Sequence, residues 1–161
     1  FMILVAGVEI GSNRKLIIKI CTPKNMVLAL ALPVGTIIGS FAGGYLSSFI
    51  TGLNPYDSIL VASGLGWYSL SSVVISTMHS TELGAIAFFG NMIREVSSFV
   101  LIPLLARWHK LMCIAPGGAA TMDSLLPLVI NSAGMHMGMF SFINGLVLSL
   151  LVPVFLSVLL K

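Results

Sequence analysis

Charge is what this sequence has least of. Of 161 residues, 8% are Asp, Glu, Lys or Arg, against about 25% in an ordinary soluble domain. With 57% hydrophobic residues, the composition excludes a large water-facing surface and points to an integral membrane protein. Cysteine is also rare. Cys21 and Cys113 stand far apart without CxxC or CxxH spacing, so neither a disulfide framework nor a metal site is expected. A net charge of +3 is too small and too scattered for nucleic acid. No nucleophile stands beside a base and no phosphate-binding glycine loop is present, so neither an enzyme nor a cofactor is expected.

Long hydrophobic runs are what the chain does have. The one from Leu83 to Ala106 is long enough to cross a bilayer, since about 20 residues span the hydrocarbon core. Its middle carries Gly90-Asn91-Met92-Ile93-Arg94-Glu95. A charge at a helix centre is unfavourable by about 2.5–3.5 kcal/mol on insertion scales, so such residues face a protein interior or a water-filled cavity and usually serve function. Asn91 and Glu95 share one helix face, while Arg94 and Ser98 share another. Adjacent Arg94 and Glu95 do not face each other, so each is expected to find its partner on a different element. An inert buried ion pair is the structural alternative.

The flanking segments follow in order. Phe1–Gly7 reads as the last turns of a longer helix, and residues 1–10 as its end, with Glu9 an interfacial carboxylate. Residues 11–25 form a loop with four Lys/Arg and no acid between Arg14 and Lys24, which places it in the cytoplasm. From Met26 to Leu53 a small residue recurs every fourth position: Ala31, Gly35, Gly39, Gly43 and Ser47. This is a close-packing stripe, expected to be used within the chain, with a dimer interface as the alternative. Asn54-Pro55-Tyr56-Asp57 has turn chemistry, and Asp57 is available to cap the next helix.

The run Ser58–Met78 is broken by Gly64-Leu65-Gly66-Trp67-Tyr68-Ser69. Interrupted helices in transporters place backbone groups beside the substrate; alternatively, Trp67 and Tyr68 belong to an interfacial aromatic belt. If this run crosses, Arg107 and Lys110 end opposite the basic loop, a conflict that a re-entrant segment removes. After Ala115-Pro116-Gly117-Gly118-Ala119-Ala120-Thr121-Met122-Asp123, the run Ser124–Ile130 is too short to span. A re-entrant or half-helix is expected there, with Thr121 as N-cap and Asp123 in its first turn. Met137–Leu160 forms a last apolar helix. His79, His109 and His136 lie near segment ends. The expected fold is a single all-α integral membrane domain over 1–161, its membrane helices in 26–160, with about five to six hydrophobic helices, some broken or re-entrant.

The ordered series Gly66-Trp67-Tyr68-Ser69-Leu70-Ser71, Glu82-Leu83-Gly84-Ala85-Ile86-Ala87, Asn91-Met92-Ile93-Arg94-Glu95, Ile102-Pro103-Leu104 and Ala115-Pro116-Gly117-Gly118-Ala119 to Met122-Asp123, with Leu126-Pro127 behind it, resembles the LysO-type lysine exporter family. The likeness begins near Val5, where Gly7-Val8-Glu9-Ile10-Gly11 is similar to the family's Gly-Ile-Asp-Leu-Gly. It implies a multi-pass inner-membrane exporter of L-lysine and analogues such as thialysine, driven by an ion gradient. It also implies that the family's embedded acidic pair falls on Glu95 and Asp123, and that further N-terminal helices, sometimes a separate chain, complete the transporter. Two departures are Glu9 for the usual Asp, and Ala119-Ala120-Thr121 for the common Ala-Thr-Ser.

The chemistry agrees with that likeness. Lysine carries two ammonium groups and one carboxylate, so an embedded site needs acids for the cations and a positive or amide-rich group for the carboxylate. Glu95 and Asp123 supply the first. Arg94, or a broken-helix N-terminus near Gly117 and Gly118, supplies the second. Asn91, Tyr68, Ser69 and Thr121 complete the expected binding set, with lipid, lysine and protons as partners. Other classes stay open: a non-transporting assembly subunit, with the glycine stripe as a homodimer or partner-chain interface, a channel, or a carrier of ornithine or arginine.

Overall fold

The computed structural model describes Val8, Gly11 and residues 22–161; the expectations for Phe1–Gly7, Glu9, Cys21 and the basic loop lie outside them. Among the described residues six α-helices of eight or more residues follow one another: α1 Pro23–Thr51, α2 Pro55–Ala62, α3 Tyr68–Met78, α4 Thr81–Trp108, α5 Leu126–Ala133 and α6 Met135–Leu159. A 3-10 segment, Ala115–Met122, precedes α5, and the described residues contain no strand. α1, α4 and α6 are long and apolar enough to cross a membrane. At 8, 11 and 8 residues, α2, α3 and α5 are each shorter than the hydrocarbon core, about 30 Å at about 1.5 Å per residue.

Local chemistry sets the ends. Pro23 and Pro55 open α1 and α2, where a missing N–H costs nothing. Gly52, at φ 73°, closes α1 in the left-handed conformation. Asn54, rather than Asp57, caps α2: its side chain accepts from the Tyr56 amide. Asp57 is drawn instead to His79, 3.1 Å away. Ser80 caps α4, with Glu82 in the first turn and Arg107 in the last, matching the helix dipole.

The Asp57–His79 contact joins the start of α2 to the end of α3, so residues 55–79 return to the face they left. They form a re-entrant hairpin. Tyr56 Oη donates to the Leu159 carbonyl, which places the end of α6 on this face too. On the opposite face, Leu28 and Leu32 of α1 line a cavity with His109, Leu111 and Met112, just past the end of α4. Arg107 and Lys110 therefore sit on the face where α1 begins, which resolves the topology conflict. The chain from the end of α4 to the start of α6 leaves and rejoins that same face, making 115–133 a second hairpin from the other side.

The two tips touch. The Ala119 amide donates to the Leu65 carbonyl at 2.8 Å, and each tip is tied to the crossing helix that follows it. Asn91 on α4 accepts from the Gly66 amide, 25 positions earlier. Asn144 on α6 donates to the Gly118 carbonyl, 26 positions earlier. A hairpin, a crossing helix and an asparagine recur in opposite orientations, the arrangement of inverted repeats in transporters. Two buried clusters hold the units: Leu60, Leu65, Ile75, Leu148 and Val152 around the first hairpin, and Ile102, Ile114, Leu125, Val129 and Phe140 around the second. Val27, Ile38, Phe49, Val100 and Leu150 point outward, as lipid-facing residues do.

One expectation is corrected. The stripe on α1 does not pack against the described residues: a Cβ added at Gly35, Gly39 or Gly43 would meet none of them within 4 Å. Close packing occurs one residue on, at Gly44, where an added Cβ would lie 2.6 Å from that of Ala62. Ala29, Pro33, Thr36, Gly44 and Ser48 form the buried face, and the stripe runs beside it along an open groove.

Three outcomes are expected. Gly118 has φ 57° and its added Cβ would fall 2.1 Å from the Leu65 oxygen. Gly118→Ala should therefore lower the unfolding temperature in detergent by several degrees, the backbone alone costing about 1–3 kcal/mol. Gly35→Ala, with open space around it, should raise stability by up to about 1 kcal/mol through helix propensity. For the topology, cysteines placed at Asn54 and at Lys110 should react with an impermeant maleimide from opposite faces of the membrane; reaction from one face would remove the hairpin.

Candidate functional site

Midway along α4 the helix has a different cavity on each side of the crossed tips. The smaller, about 240 Å³, is lined by Gly66, Trp67, Tyr68 and Ser69 of the first tip, Glu95 of α4, Ala119 to Ser124 of the second tip except Thr121, and Ser149 of α6. It brings together Glu95 and Asp123. Ser124 links them: its hydroxyl donates to Glu95 Oε1, and its amide donates to Asp123 Oδ1 at 2.6 Å. Both carboxylates are partly buried.

The same cavity is lined by the N-terminus of α3. Trp67 occupies the cap position without a side-chain cap bond, and the first amides of a helix have no partner inside it. Tyr68 and Ser69, the first residues of α3, line the acid cavity. The cavity thus offers two carboxylates together with the positive end of a helix. That combination suits a small molecule carrying both ammonium and carboxylate groups. Trp67 and Tyr68 sit at a hairpin tip and not in an interfacial belt.

The larger cavity, about 630 Å³, is an open groove lined by the stripe of α1, by Ser58 and Val61 of α2, and by Asn91 and Arg94 of α4. Arg94 donates from Nε to the Pro116 carbonyl at 2.8 Å, from Nη2 to the Ala115 carbonyl at 3.3 Å and from Nη1 to Ser40 Oγ at 2.9 Å. Glu95 and Arg94 do find partners on different elements, as their one-residue offset requires. Asn91 and Glu95 share a helix face, but Asn91 is held by the first hairpin: Nδ2 donates to the Val61 carbonyl at 3.1 Å, and also to the Ala87 carbonyl of its own helix at 2.9 Å.

Gly117 and Gly118 serve close approach. Added Cβ atoms would strike Leu125 and Thr121 at Gly117, and the Leu65 oxygen at Gly118. The α-helix N-terminus beside the acids is that of α3, not one at these glycines. Thr121 does not cap α5, which starts at Leu126 after Leu125. Its hydroxyl donates to the Gly118 carbonyl at 2.7 Å and accepts from Asn144 Nδ2 at 3.2 Å, because the turn at Gly118 leaves that carbonyl three residues back within reach.

Ser124 and Asn144 are the residues sequence reasoning missed. Ser124 directly follows Asp123, and Asn144-Gly145 repeats, one crossing helix later, the polar interruption of Gly90-Asn91; those were the available signals. Ser141 also donates to the Thr121 carbonyl at 2.8 Å, and Thr36 of α1 lies 3.5 Å from Asn144 Oδ1, extending the network to a third crossing helix. Among the described residues, no three His, Cys, Asp or Glu stand together as a metal set would.

A family model described as lysine exporter LysO matches residues 1–160. The chain belongs to the LysO lysine exporter family. It is 30% identical over 159 residues to the lysine exporter LysO of Escherichia coli, covering 97% of this chain and 51% of that one. It is 31% identical over 157 residues to a putative lysine exporter of Haemophilus influenzae, covering 96% of this chain and 78% of that one. This LysO-family chain therefore spans about half the length of its E. coli relative. No solved structure matches it. Membership joins the structure in describing an all-α membrane protein with several apolar helices.

If Asn91 pins the first tip, Asn91→Ala should speed hydrogen exchange of the Gly66 amide about tenfold, the loss of a buried hydrogen bond. The Ile75 amide, deep in α3, should exchange at its former rate. Equal acceleration at both would instead mean global loosening.

Proposed function

We propose that this chain forms the substrate-carrying part of an inner-membrane exporter of L-lysine and close analogues such as thialysine. The observation that carries the proposal is the cavity that Glu95 and Asp123, joined through Ser124, share with the uncapped N-terminus of α3. In it the carboxylates replace the water around lysine's ammonium groups, and the Tyr68 and Ser69 amides receive the carboxylate. Arg94 and Asn91, bound to the hairpin backbones, hold the tips in place. The cavity, about 240 Å³, lies below the range of about 300–1,000 Å³ usual for drug-sized ligands, a size for an amino acid and not for a peptide. The names of the relatives single out lysine from the cations this charge pattern would admit.

Protons and lysine ammonium compete for the same two carboxylates, so release of one accompanies binding of the other and couples export to the proton gradient. Lysine efflux from loaded vesicles should accelerate with an imposed inward proton gradient; insensitivity to the gradient would remove the coupling. Glu95→Gln and Asp123→Asn should each reduce lysine efflux at least about a hundredfold while leaving insertion and unfolding temperature unchanged, since a neutral amide cannot balance a buried ammonium. Ser124→Ala should cause a smaller, about tenfold loss, because it removes one hydrogen bond and no charge. Full activity in either acid variant would take that residue out of the site.

A further inference from the structure

The groove along α1 has no role in the site just described, yet it is not built to face lipid. At its edge three glycines leave helix backbone bare: Gly35, Gly39 and Gly43, with nothing within 4 Å of an added Cβ. On its other wall is Ser58, 3% exposed, whose Oγ finds no hydrogen-bond partner among the described residues. Buried hydroxyls are almost always satisfied, so this one points to an acceptor or donor that the groove receives from outside. At its base is Arg94, halfway along α4. The side chain bonds Ser40 and two backbone carbonyls, and among the described residues no Asp or Glu lines the groove. A guanidinium at this depth, bonded among the described residues to neutral groups alone, calls for a carboxylate.

We propose that the groove seats an apolar transmembrane helix that presents a carboxylate at the depth of Arg94, supplied by transporter sequence beyond the stretch matched here. A small-residue stripe lets a helix backbone approach closely enough for van der Waals contact, which is what drives helix association in lipid. A second copy of this chain fits poorly. Stripe against stripe would bring Arg94 toward Arg94, and no described residue lining the groove could neutralise the pair. The E. coli relative, of which this chain covers 51%, has about as much sequence again from which such a helix can come.

The test uses the full chain in phosphatidylcholine vesicles with a donor fluorophore. Three synthetic apolar helices of about 25 residues carry the acceptor and differ only in a central Glu, Gln or Lys. Energy transfer should show the Glu helix associating at least about tenfold more strongly than the Lys helix, with Gln between them. Gly39→Leu should abolish association with all three while keeping the wild-type unfolding temperature, since within the chain that position meets only open space. Equal association of the three helices would overturn the proposal, as would none above random collision. So would energy transfer between two labelled copies of the chain that the Glu helix leaves undiminished, because the occupant would then be a second copy. None of these readouts measures lysine binding or transport, so the proposed substrate and the proposed interface stand or fall separately.

Discussion

Two helices broken in the middle of a membrane protein create a problem that the rest of this structure solves. At each break, amides and carbonyls lose their helical partners where no water is at hand, and each left unpaired costs several kcal/mol. Here the two breaks satisfy each other, through the bond from Ala119 to Leu65, and are further satisfied by side chains of the crossing helices. Asn91 serves the first tip. Asn144 and Arg94 serve the second. Asn91, Asn144 and Arg94, which look expensive in isolation, thus each offset a backbone deficit where the hairpins meet at mid-depth.

The crossing also divides the labour of α4. Consecutive helical residues point about 100° apart, so the tips can fall between Arg94 and Glu95. The cation is turned to the groove side, where it holds the Ala115–Pro116 backbone. The anion is turned to the cavity that Asp123 reaches from the second tip. Chemistry that would cancel if the two paired stays available on opposite sides. The N-terminus of α3 points into the acid cavity for the same structural reason: a hairpin tip has to begin its returning helix where it turns.

Much of this was legible in the sequence. The mid-run Arg94 and Glu95, the glycine-aromatic interruption at Gly64–Ser69 and the Ala115–Asp123 turn mark the site because charge and glycine are anomalous in apolar runs. Even the re-entrant path of 55–79 was foreshadowed by the basic residues at Arg107 and Lys110. Tertiary geometry hid the rest. Residues every fourth position define a stripe but not the side on which a partner lies, so Gly35, Gly39 and Gly43 appeared to pack where Gly44 does. Thr121 looked like a helix cap because a hydroxyl before an apolar run usually is one; the positive φ of Gly118 redirected it. Ser124 carries no charge and stood in the shadow of Asp123.

The central claim is that Glu95 and Asp123 together receive the ammonium groups of lysine. The most direct measurement is protection from modification by a hydrophobic carbodiimide in the reconstituted chain, read at each carboxylate by peptide mass. Lysine should slow modification of both residues, and norleucine, which lacks the side-chain ammonium, should leave at least one of them unprotected. Identical rates at both positions with and without lysine would contradict the account.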